Sequence, residues 1–129
     1  MAAAKPRRPT EAELSILRVL WEGGPASVRQ VQRTLDKQRP TGYTTVLKLM
    51  QIMTGKGLVA RDESVRPQIY RATYSQQQTQ RQLIADLLQR AFGGSVRSLV
   101  VQAVATRKPA PRDLEEMERL LDRMEGGRK

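Results

Sequence analysis

The sequence predicts a mainly α fold in which three helices lead into a two-stranded hairpin and further helices follow. Three observations carry this. Apolar residues recur at three- and four-residue intervals in six separate segments. Strand-like character is confined to two short runs, residues 58–63 and 68–74. The 129 residues are 39% apolar, with nine glycines and seven prolines, which suits one domain or two very small ones sharing a core.

The first helix is announced by Thr10 and Glu13 at capping-box spacing, with Leu14, Leu17 and Trp21 following at helical intervals. Ile16 and Leu20 widen the stripe, Trp21 is expected in the core, and Gly23, Gly24 and Pro25 stop the helix. Ser27 and Gln30 repeat the capping signal. Val28, Val31 and Leu35 then form a narrow apolar stripe, which leaves Arg29, Arg33 and Lys37 outside. After a break at 40–42, a third helix is expected to end at Gly57, a good left-handed terminator. Its apolar face is Val46, Leu49, Met50 and Met53, and its outer face carries Thr44, Thr45, Lys48 and Gln51.

In the hairpin, Tyr70, Ala72 and Tyr74 share one face and residues 64–67 form the tip. An isolated hairpin is marginal, so this one must lean on the helices. The order is that of a winged helix-turn-helix with a two-stranded wing. Beyond it, Leu83, Ile84, Leu87, Leu88 and Ala91 make a broad stripe closed by Phe92, Gly93 and Gly94. A fifth helix from Ser95 carries Val96, Leu99, Val100, Ala103 and Val104. A proline-containing linker precedes a sixth, whose Leu114, Met117, Leu121 and Met124 repeat at three, four and three residues, like a coiled-coil seam. These helices carry more apolar surface than so short a segment hides alone, which predicts burial against a second copy, the alternative being that they fold back onto the winged helix.

The charge balance points to a polyanion. Lys and Arg total 23 against 13 Asp and Glu, a net charge of +10. Residues 1–74 hold 13 basic and 6 acidic groups, net +7, and the remainder 10 and 7, net +3. A basic half beside a balanced half suggests a nucleic-acid-binding module joined to something else. Histidine and cysteine are absent, which excludes zinc fingers, iron–sulfur ligation, disulfides and Cys or His relays. The acidic cluster Asp113, Glu115, Glu116, Glu118 and Asp122 is interleaved with Arg119 and Arg123, the pattern of a solvated helix face. No enzyme, metal or cofactor is expected. No apolar run reaches the length of a membrane span, and the basic start lacks the apolar stretch of a signal peptide, so the expected location is cytoplasmic.

In a helix-turn-helix the third helix enters the major groove with its N-terminal residues at the base edges. The expected DNA contacts are therefore Tyr43, Thr44, Thr45, Lys48 and Gln51, with Arg61, Arg66 and Arg71 of the wing gripping the flanking backbone. Leu47 and Ile52 flank that stripe and either pack under the wing or touch thymine methyls. The expected dimer surface comprises Leu83, Leu87, Leu88, Phe92, Leu99, Val100, Val104, Leu114, Met117 and Leu121. The expected organisation is a basic tail at 1–9, a winged-helix DNA-binding domain at 10–75, a helical dimerisation domain at 76–125 and a tail at 126–129.

Four segments resemble the penicillinase-repressor (BlaI/MecI/CopY-type) family: GGPASVRQVQRTL (23–35), RPTGYTTVLKLMQIMTGKGLVARDES (39–64), QIYRATYS (68–75) and TQRQLIADLLQRAFGGSVRSLVVQAV (79–104). The resemblance implies a homodimeric transcriptional repressor on palindromic operators, with Thr44, Thr45 and Lys48 at the DNA. It also implies release by a signal such as proteolysis of the dimerisation domain, prompted by a membrane-bound metalloprotease sensor. Three features depart from the family pattern. The cysteine cluster of copper-responsive members is missing. Gln102-Ala103 stands where β-lactam-responsive members have an asparagine–aromatic bond. Leu47 and Ile52 stand where some members carry arginines. Two rival readings are a winged-helix regulator that senses a small ligand, and a protein-interaction adaptor whose basic charge is incidental.

Overall fold

The structure, a computed structural model, describes residues 8–126. Its elements are α1 (Glu11–Gly23), α2 (Val28–Asp36), α3 (Tyr43–Lys56), β1 (Val59–Asp62), β2 (Ile69–Ala72), α4 (Gln76–Phe92), α5 (Val96–Thr106) and α6 (Pro111–Gly126). This is the mainly helical fold with a two-stranded wing that the sequence predicts. Most of the expected tails, at 1–7 and 127–129, lies outside the described residues. The chain divides into two compact units, one ending at Ile84 and the other beginning at Ala85.

Local chemistry sets the first two helices. The Thr10 hydroxyl accepts from the Glu13 amide at 3.2 Å while the Glu13 carboxylate accepts from the Thr10 amide at 2.8 Å. Ser27 and Gln30 repeat the exchange at 3.2 and 2.8 Å. Each box satisfies two backbone donors that a helix start otherwise leaves open. α3 ends as expected, with Gly57 at φ +79° and its amide bonded back to Met53 and Thr54.

The three helices and the wing enclose one core, in which Ile16, Val31, Val46, Met50 and Met53 are wholly buried beside Leu17 and Tyr70. Leu49, expected on the buried face, flanks this core half-buried. Trp21 also packs at its edge and donates its indole N–H to the Tyr74 carbonyl at 3.0 Å, fastening the chain after β2 to α1. The strands pair antiparallel with Val59 opposite Ala72 and Asp62 opposite Ile69. They are shorter than the sequence suggests at both ends, although Thr73 N–H still reaches the Leu58 carbonyl at 3.0 Å. The other edge of β2 is partly covered too, because Ala26 and Tyr70 exchange backbone hydrogen bonds at 2.9 and 2.8 Å.

One buried charge joins distant parts of this unit. Glu13 is 1% exposed, and Lys56 Nζ donates to its two oxygens at 2.9 and 3.0 Å. Burial alone would raise the Glu13 pKa, but the Thr10 amide, the Lys56 ammonium and the Thr10 hydroxyl outweigh it and hold the carboxyl below its ordinary value. Because the folded pKa is lowered, the stabilisation is present above the unfolded value of 4.5 and is lost as pH falls below it.

Glu13→Gln preserves the capping box but breaks the ion pair, and Glu13→Ala removes both. The expected costs are about 1 and about 2 kcal/mol in urea unfolding at neutral pH. Both differences from the parent chain should shrink as the pH is lowered through 4. A difference that stayed constant with pH would mean that the carboxylate charge contributes nothing.

Candidate nucleic-acid interface

The segment between α2 and α3 is held by two side chains of α2. Asp36 Oδ1 accepts from the Thr41 amide at 2.9 Å, and Gln32 Nε2 donates to the Thr41 carbonyl at 2.9 Å. These bonds fix where α3 begins. Its N-cap is Gly42, which offers no side chain to the first-turn amides, and no acidic residue stands in that turn. The α3 start therefore keeps open donors and the positive end of its dipole, a suitable place for a phosphate.

With Val46, Met50 and Met53 fully buried, the opposite side of α3 faces outward. Thr44, Thr45, Lys48 and Gln51 are exposed on it, whereas Tyr43 is exposed at the helix start, seven residues before buried Met50 and so in line with the buried row. Lys48 makes no ion pair among the described residues. The two flanking apolar residues part company: Leu47 packs against the core, whereas Ile52 is 45% exposed. Sequence reasoning missed a further participant. The Arg29 guanidinium lies 4.3 Å from the centroid of the Tyr43 ring, a cation–π stack that joins the first turn of α2 to the first turn of α3. The separate amphipathic patterns of the two helices contain no trace of this pairing.

The wing arginines are engaged differently from the helix residues. Arg61 pairs with the Glu63 carboxylate at 2.7 Å, and the neighbouring Tyr70 hydroxyl and that carboxylate both raise its pKa. Arg66 curls back to donate to the Glu63 and Val65 carbonyls at 2.8 and 3.1 Å. Asp62 accepts from the Ser64 hydroxyl at 2.6 Å and the Ser64 amide at 2.9 Å, which lowers its carboxyl pKa. A phosphate at the wing must displace these local bonds. Arg71, exposed on the face of β2 opposite Tyr70, has no such tie among the described residues.

The penicillinase repressor family model matches residues 9–123, nearly the whole chain. The chain belongs to the penicillinase repressor family. That membership implies a DNA-binding transcriptional repressor, a role for which an exposed polar and cationic face on the third helix is suited. No curated protein matches the chain.

The Arg29–Tyr43 stack gives a specific expectation. Arg29→Ala should cost about 0.5–1 kcal/mol of affinity for duplex DNA. The same change should cost much less in a Tyr43→Ala background, because the two residues act as a unit. Fluorescence anisotropy titrations of the four proteins measure the coupling, and strictly additive losses would show that the stack does not serve binding.

Proposed function

We propose that the protein is a homodimeric, sequence-specific repressor that binds palindromic operators in promoters through α3 and acts by occupancy, without catalysis. In this reading residues 10–75 form the DNA-binding domain and residues 76–125 the dimerisation domain. The observation that carries the reading is the division of α3 into a closed apolar face and an open one carrying Thr44, Thr45, Lys48 and Gln51. The wing arginines Arg61 and Arg66 serve the flanking backbone once their local bonds are exchanged for phosphate. The proposed location is the cytoplasm. Among the described residues, no helix is long and apolar enough to cross a membrane.

The dimer is supported by what the later helices leave open. No described residue of α4 or α5 is buried. Leu87, Val100, Val104, Leu114, Met117 and Leu121 are all exposed, while Leu83, Leu88, Phe92 and Leu99 are half-buried. A second copy covers such surface most economically, because the same faces recur on it. A signal that breaks these helices, such as proteolysis prompted by a membrane-bound metalloprotease sensor, would then release the operator. Gln102 and Ala103 are exposed within α5.

The deciding experiment is a nuclease footprint on the promoter of the protein's own operon across a salt series. The expected result is a two-fold-symmetric protected site with half-sites about one helical turn, or a small multiple of it, apart. Diffuse protection that vanishes at moderate salt would contradict the proposal. Lys48→Ala should flatten the plot of log affinity against log salt by about 0.9 for each phosphate that the lysine neutralises, hence by about two units for a dimer.

Leu87→Asp tests the interface. Leu87 is 46% exposed in the single chain, so the charge should disturb the assembly rather than the fold. Sedimentation is expected to show monomers, and a persistent dimer would move the interface elsewhere.

A further inference from the structure

We infer that Ile52 reads the 5-methyl group of a thymine in the major groove and so sets part of the operator sequence, an inference that rests on the proposed repressor reading. A single exposed aliphatic residue is ordinary and carries nothing alone. The distribution here is more telling. Among the described residues of the first unit, the exposed large apolar ones are Tyr43, Ile52, Val65 and Ile84. Ile84 belongs to the stripe assigned to dimerisation, and the other three all lie on α3 or at the wing tip.

Ile52 also borders the polar stripe of the outward face. Thr45, Lys48 and Ile52 succeed one another at three and four residues, so they form one row. Gly55 follows at three residues and contributes no side chain that could cover Ile52 from that position, and the space where its Cβ would stand is open. From Thr44 to Ile52 the helix rises about 12 Å, comparable with the roughly 12 Å width of the groove.

The chemistry then selects the target. An isoleucine side chain neither donates nor accepts a hydrogen bond. The thymine methyl is the apolar group that base edges display in the major groove. With Lys48 one turn away to bind phosphate or a base acceptor, Ile52 supplies discrimination that a cation cannot.

The test uses the full chain and a duplex spanning the site protected in the footprint, with each thymine replaced in turn by deoxyuridine, which deletes the methyl alone. The expected result is one thymine per half-site whose replacement weakens binding about three- to five-fold for the parent protein. For Ile52→Ala the same replacement should have no effect, and that variant should bind the unmodified site more weakly while its urea unfolding stays unchanged. A specific footprint with a scan that both proteins feel identically overturns the role of Ile52 and leaves the repressor reading standing. Absence of any specific site overturns both.

Discussion

The placement of α3 depends on the Glu13 carboxylate. One buried group completes the cap of α1 and holds Lys56 in the last turn of α3, just before Gly57 turns the chain toward β1. A buried ion pair contributes little net stability once desolvation is counted. What it adds here is orientation. Its partners come from sequence positions 43 residues apart, and a carboxylate removed from water tolerates no arrangement that leaves it unpaired. The opposite end of α3 is pinned by Asp36 and Gln32 around Thr41. With both ends held by polar contacts and one face by the core, α3 retains a single free surface.

Much of this was legible because the deciding interactions are local. Thr10 with Glu13 and Ser27 with Gln30 lie three residues apart, and the rows of Val46, Met50 and Met53 follow from helical spacing alone. Interactions across long sequence gaps were not legible. Glu13 reads as a capping residue, and nothing near it reveals that Lys56 shares the same carboxylate. Ala26, between a proline and a cap, gives no sign of its pairing with Tyr70. Leu47 and Ile52 look alike in a helical pattern, yet one flanks the core and the other faces outward. Only the packing of α3 separates them. Tyr43 was legible as an exposed residue but not as the seat of Arg29, because cation–π partners on different helices leave no spacing rule behind.

The charges divide along similar lines. The excess in residues 1–74 creates a positive field that attracts DNA whichever arginine carries it. Contact is a narrower matter. Arg61 and Arg66 sit beside Asp62 and Glu63, so the wing adds little net charge and holds its guanidinium groups by local bonds. Binding there exchanges one set of hydrogen bonds for another. Lys48 and the uncapped start of α3 face no such exchange, so they can take phosphate at smaller cost. Steering is thus spread over the unit, whereas the contacts available without rearrangement concentrate on α3.

The contrast between the winged-helix core and the later helices bears on how such a repressor could be controlled. The core of α1, α2, α3 and the wing closes within itself, with Tyr70 and Met53 almost wholly buried, whereas α4 and α5 bury none of their described residues. In the proposed dimer, therefore, the partner stabilises the later helices and not the DNA-reading surface. Separating the copies would leave a folded reader of one half-site. Its affinity would fall because the second half-site no longer binds at the high effective concentration that a shared dimer provides. Control acting on the apolar seam then changes occupancy through valence alone, and α3 needs no conformational change to release its operator.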